Sequence, residues 1–170
     1  MEVWEAIQTK RAVRDFKPDP IPDEAVNRIL NAGRRAQSSK NTQPWHFIAI
    51  QDRSTLKSLS ELGDYSFHLA NAGLGIAIIT PSPEQRFSIM FDAGQAASYM
   101  QLAAWEMGIA SCLASIYKYD EARDLLGFPD ELHLRICISF GYPENRAELS
   151  RSLKKAGRRT LSEVVHYDKW

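Results

Sequence analysis

Apolar Val3, Trp4 and Ile7 recur at helical spacing, which predicts a helix from Glu2 to Thr9. The KRAVRDF that follows leaves that helix as an extended segment with basic side chains crowding the exit. Prolines then punctuate KPDPIP. A second helix is predicted to open with Pro22 in its first position and Asp23 and Glu24 in its first turn, burying Val26, Ile29 and Leu30 on one face. SSKNTQP is polar and turn-rich, a loop, and WHFIAIQ has the β-branched and aromatic content of a strand. RSTLKSLSELGDYSFHLANA reads as two short helices broken near Gly63, and GLGIAIIT as a strand covered on both faces. Beyond the short PSPEQ linker, FSIMFDAGQAASYMQLAAWEMG carries apolar or small residues on nearly every side, the pattern of a long central helix surrounded by protein. IASCLASI predicts a third strand, YDEARDLLGFPDE a helix stopped by Gly127 and Pro129, and LHLRICISFGYP a fourth strand ended by Gly141 and Pro143. Helices and strands therefore mix, as α+β or α/β. The tail from Arg146 begins basic and ends with Leu161, Val164, Val165, Tyr167 and Trp170, apolar groups that call for a partner surface.

Composition narrows the classes. At 170 residues with 44% hydrophobic content, one domain spanning residues 1–170 is expected, with enough apolar material for a core. Lysine plus arginine (21) equals aspartate plus glutamate (21), so no overall field draws the chain to nucleic acid or an anionic membrane. No segment reaches the roughly 18 apolar residues of a membrane span, and cytoplasmic residence is the expectation. Cys112 and Cys137 are far apart, without CxxC or a histidine at ligand spacing, so they read as reduced interior thiols and no metal is expected.

Three constellations could carry chemistry. Lys10, Arg11 and Arg14 fall within five residues at a helix end, where they are either a solvated basic turn or a grip for a phosphate dianion. Ser38, Ser39, Asn41 and Gln43 lie on a loop between helix and strand, either an ordinary polar turn or a reader of a heteroaromatic edge, because side-chain amides donate and accept at once. Arg158 and Arg159 follow Gly157 just before the apolar tail; if they meet the first cluster in space, their summed charge exceeds the roughly two negative charges of a phosphomonoester. GxGxxG after a strand and GxxxxGK[ST] are both missing, and His46, His68, His133 and His166 are scattered without a nucleophile motif, so dinucleotide-fold and hydrolase chemistry lack support. Met90, Met100, Met107 and Trp105 read as filling for a core or a dimer interface.

Taken in order, KRAVRDF, AQSSKNTQPWHF, DAGQAASYMQLAAWEMGIASC, FGYP and RRTLSEVVHYDKW resemble the nitroreductase family along nearly the whole chain. The resemblance implies an α+β fold with a mainly antiparallel central sheet flanked by helices and a long central helix at a homodimer interface, where FMN is held. Its arginine-rich start binds the FMN phosphate, and Lys10, Arg11, Ala12 and Arg14 match those positions, with Ala12 where serine is usual. Its ring-contacting loop is matched by Ser38, Ser39, Asn41 and Gln43, with Gln37 where proline is usual; its late basic motif points to Arg158 and then Arg159. A CWxG-like stretch beside the flavin is replaced by Cys112, Leu113, Ala114 and Ser115, and TPSPEQRF is shorter than the insertion that walls the pocket in larger relatives, implying an open site.

The activity so implied is a two-step hydride exchange. NADPH or NADH reduces FMN, and a nitroaromatic, quinone or similar flat acceptor then takes the nicotinamide's place, with no side-chain acid or base required. The alternative is a non-catalytic FMN-binding or protein-interaction module on the same fold.

Overall fold

The computed structural model describes residues 1–150 and 157–170. Arg151, Lys154 and Lys155, in the basic opening of the tail, lie outside the described residues. The chain runs α1 (Val3–Thr9), α2 (Asp23–Arg34), β1 (His46–Ile50), α3 (Arg53–Ser60), β2 (Leu74–Pro81), α4 (Ser88–Glu106), β3 (Ala110–Ala114), α5 (Tyr119–Leu126), β4 (Leu132–Gly141) and α6 (Leu161–Val164). The strands form one sheet in the order β1-β2-β4-β3, and every neighbouring pair is antiparallel. The expected α+β class, with helices flanking a mainly antiparallel sheet, is the fold observed.

β2 explains why an apolar run can sit in an antiparallel sheet. Leu74, Ile76 and Ile78 face a core built with α2 and α4 through Ile29, Ala96 and Met100, whereas Ala77 and Ile79 face a second core with Leu56, Leu59 and Ala122 of α3 and α5. Both faces are covered, so the polar alternation of a half-exposed strand has no cause here. A third cluster joins α1 and the following segment to the far half of α4, through Ala6, Val13, Phe16 and Trp105.

Two details differ from the reading of the pattern. Pro22 is the residue before α2, extended at ψ 147, and its carbonyl accepts the Val26 N–H at 3.0 Å, so the helix starts at Asp23. The stretch after Gly63 forms a single 3-10 turn at Phe67–Leu69 and no second helix. Here Ser66 Oγ donates to the Ser60 and Gly63 carbonyls at 2.8 and 2.7 Å, local bonds that compete with a continuing helical ladder.

Candidate functional site

The basic segment leaves α1 extended and is tied to the sheet's edge at two points. Ala12 bridges Ser111 of β3 in parallel and Phe16 bridges Pro143; the Val13 N–H donates to the Ser111 carbonyl at 3.1 Å. Val13 and Phe16 point inward, and the Phe16 ring lies so close to Gly141 that a Cβ there would meet it at 2.7 Å. The remaining positions turn outward: Ala12 and Arg14 are exposed, Lys10 and Arg11 half-buried, and Arg11 Nε donates to the Thr9 carbonyl at 3.3 Å. Burial lowers the Lys10 pKa, and no carboxylate pairs with its ammonium among the described residues. A desolvated cation without a counter-ion is the chemistry of an anion site.

Neutral groups floor this segment. His68 is buried, with Nδ1 2.8 Å from Ser139 Oγ, which in turn donates to the Cys112 carbonyl at 3.3 Å. Burial, and then the Arg14 charge, hold the imidazole below its ordinary pKa, so it stays neutral and subtracts nothing from the cations above. Burial raises the Cys112 thiol, with Arg14 and Lys10 pulling the other way. A cavity of about 510 Å³ opens beside Ala12 and Arg14, and Asp15, Glu144 and Glu148 share its wall, acceptors suited to hydroxyls rather than to phosphate.

The polar loop is strained and tightly bonded. Lys40, Asn41 and Gln43 have φ of 52, 53 and 46, left-handed backbone that costs roughly 1–2 kcal/mol per residue and is easiest for asparagine. The Asn41 N–H donates to the Ser38 carbonyl at 3.0 Å, and the Gln43 N–H to Ser38 Oγ at 2.9 Å. Gln43 Nε2 donates to Asn41 Oδ1 at 3.2 Å, so two exposed amides stand side by side. Ser39 donates its N–H to Asp92 Oδ1 of α4 at 3.1 Å, and Arg86 donates to the Thr42 hydroxyl while lying 3.9 Å from Asp92. Asp92 and Arg86 were not among the candidate residues. The readable signal was Asp92 itself, the lone charged side chain between Ser88 and Trp105 of an otherwise apolar helix.

The candidate sets stand apart in one chain. The loop meets α4 at Asp92, whereas the elements flanking the basic segment meet it at Gln101, which donates to Ser111 Oγ of β3 at 3.1 Å, and at Trp105, whose Nε1 donates to Thr9 Oγ1 of α1 at 2.9 Å and which shares a core cluster with Val13 and Phe16. Nine to thirteen residues of helix separate these points, roughly 14–20 Å at about 1.5 Å per residue. Arg158 and Arg159 are exposed; Arg158 Nη1 donates to the Gly157 carbonyl at 3.3 Å, and no hydrogen bond or ion pair among the described residues links either arginine to the basic segment.

Apolar surface surrounds these sets. Val3, Trp4 and Ile7 of α1 are exposed, and a groove of about 480 Å³ runs past Val3, Ile7, Ala32, Tyr99 and Leu102. Leu161, Val164, Tyr167 and Trp170 are also exposed, Trp170 at 99%, with the His166 and Trp170 rings stacked 4.1 Å apart. No helix among the described residues is long and apolar enough to cross a membrane.

Fold and site together define a class, a protein of α+β architecture with an outward basic segment at the sheet's edge and a tightly bonded polar loop against the central helix. The Nitroreductase family model matches residues 7–68 and 63–142, and the chain belongs to the nitroreductase family. A protein of Archaeoglobus fulgidus named for NADH dehydrogenase/NAD(P)H nitroreductase activity is 31% identical, over 99% of both chains. The solved structure of an FMN-dependent nitroreductase from Clostridium difficile R20291 is 29% identical with a TM-score of 0.84, covering 98% of this chain and 99% of that one. Iodotyrosine deiodinase of Thermotoga neapolitana is 22% identical, over 84% of this chain and 89% of its own.

Proposed function

We propose that this protein is an FMN-dependent oxidoreductase that draws hydride from NADH or NADPH and reduces nitroaromatic, quinone or similar flat acceptors. It would work as a cytoplasmic homodimer of one domain spanning residues 1–170. The observation that carries this reading is the separation of the two candidate sets along α4. One copy offers cations near one end of the helix and ring-reading amides near the other, roughly 14–20 Å apart along it, a span that only a fully extended mononucleotide would bridge. Two copies packed with their α4 helices antiparallel bring the loop of one beside the basic segment of the other, and cover the apolar α1 face and tail that one chain leaves in water. The likeness to the FMN-dependent Clostridium difficile enzyme supports the same cofactor.

The donor set suits FMN. Lys10, Arg11 and Arg14, joined by Arg158 and Arg159, would hold the phosphate beside the backbone of Ala12; Ser38, Ser39, Asn41 and Gln43 would read the mixed N–H and C=O edge of the ring. When bound, FMN supplies the hydride chemistry, and the chain's residues bind, orient and neutralise charge around it. Phe87 and Phe91, exposed with ring centroids 5.3 Å apart near the loop, leave the acceptor side open.

The test is the visible spectrum of purified protein mixed with FMN and freed of excess by gel filtration, with the mass of the eluting species. About one flavin per chain on a dimer is expected. Arg14→Ala and Arg158→Ala should each weaken FMN by about 1.5–3 kcal/mol, the scale of a charged hydrogen bond. Unchanged affinity in both sinks the phosphate assignment, and a folded protein that retains no flavin sinks the cofactor.

A further inference from the structure

We infer that Asp92 and Arg86 are positioning residues that hold the loop 39–43 in its left-handed conformation, so that Asn41 and Gln43 meet a flat heteroaromatic ligand already aligned. The inference rests on the ring-reading role proposed for that loop. Asp92 lies in the second turn of α4 and is 3% exposed, a carboxylate built into the interior of an apolar helix. Its Oδ1 accepts the Ser39 N–H, and its Oδ2 lies 3.9 Å from the Arg86 guanidinium, which donates to the Thr42 hydroxyl. Asp92 of α4 thus holds one end of the span 39–42, and Arg86, two residues before that helix begins, holds the other.

The left-handed residues sit inside those ties or next to them: Lys40 and Asn41 between, Gln43 just beyond. Such a stretch persists only where its surroundings over-determine it. The bonds between Ser38, Asn41 and Gln43 belong to the loop and move with it, whereas Asp92 connects it to a long packed helix and Arg86 to the segment that leads into that helix. Pro44 and Trp45, both buried, secure the exit. Ordering the loop before the ligand arrives removes an entropy cost from binding. Asp92 Oδ2 and Arg86 Nε make no hydrogen bond, so asparagine at position 92 keeps the Oδ1 acceptor and loses only the charge.

The test uses Asp92→Ala, Asp92→Asn and Arg86→Met in the flavin-free protein. Peptide-resolved hydrogen exchange over residues 38–44 reports loop order, and titration with riboflavin, which has the ring but no phosphate, reports recognition. Asp92→Ala is expected to speed exchange of the Ser39 amide and weaken riboflavin, each by about tenfold, the loss of one charge-assisted bond. Asp92→Asn should restore most of both. Where the alanine variant fails to fold, the asparagine and methionine variants carry the test, with smaller changes in the same direction. Unchanged exchange overturns the proposal, and so does faster exchange with wild-type riboflavin affinity, which would mark the pair as structural only. A wild-type protein that binds neither FMN nor riboflavin sinks the cofactor reading instead, and exchange still decides whether the pair holds the loop.

Discussion

Gly141→Ala tests how the basic segment is held. A Cβ on Gly141 would stand 2.7 Å from Cδ1 and Cγ of the Phe16 ring and 2.8 Å from its Cβ, all atoms of one buried side chain. Ordinary carbon–carbon separations are about 3.5–4.0 Å, so the ring must retreat by roughly 1 Å. Overpacking of this kind costs about 1–3 kcal/mol, while replacing glycine by alanine gains about 0.4–1 kcal/mol through the unfolded state. A net loss of about 1–2 kcal/mol is expected in urea unfolding, about 2–8 °C in Tm for a chain of this size. Phe16 also bridges Pro143, and the Glu144 N–H donates to the Asp15 carbonyl at 3.0 Å, so a displaced ring shifts Arg14 and weakens FMN as well. Phe16→Leu in the same chain should relieve the crowding, leaving the double variant more stable than the sum of the single losses by at least about 0.5 kcal/mol. A Gly141→Ala protein as stable as wild type, or strict additivity in the double variant, would refute the close approach as the anchor of the segment.

Two further predictions concern titratable groups. A phosphate beside Lys10 raises its pKa from the value that burial lowers in the free protein, so its share of the affinity is whole below that free-protein pKa and is lost as pH rises from there through the raised, phosphate-bound pKa. FMN titrations from neutral to alkaline pH should therefore show a fall of about tenfold that Lys10→Met abolishes, and a methionine variant with the wild-type profile would exclude Lys10 from the site. Cys112 and Cys137 are free and buried; burial pushes the Cys137 thiol up to about 12 and raises Cys112 despite the cations nearby. Ellman's reagent at mildly alkaline pH should leave both unreacted in the native protein and modify both in urea, with Cys112 the first exposed on partial unfolding, and prompt reaction of Cys137 in the native state would contradict its burial.

Much of the fold was legible in the chain because the local signals agree with the tertiary environment. The helical spacing of Val26, Ile29 and Leu30, the apolar run 73–80 and the small-residue helix 88–106 each describe how much of an element is covered, and coverage is what the cores impose. The outward basic segment and the polar loop could be picked out as candidate chemistry from residue type, since each residue's charge and hydrogen-bonding capacity belong to the residue itself. Boundaries were less legible: the start of α2 and the stretch after Gly63 depend on which backbone group finds a partner, and Ser66 settles the second with two carbonyls it reaches only when folded.

Tertiary structure alone decided the sheet order β1-β2-β4-β3, because strand pairing depends on contacts between residues far apart in sequence. It decided that Asp92 and Arg86 join the loop, since a lone carboxylate in an apolar helix announces a buried partner without saying which one. It also decided that the basic segment and the loop meet opposite ends of α4. Their residue types are local properties of the chain, but the distance between them is set by a helix that neither segment belongs to.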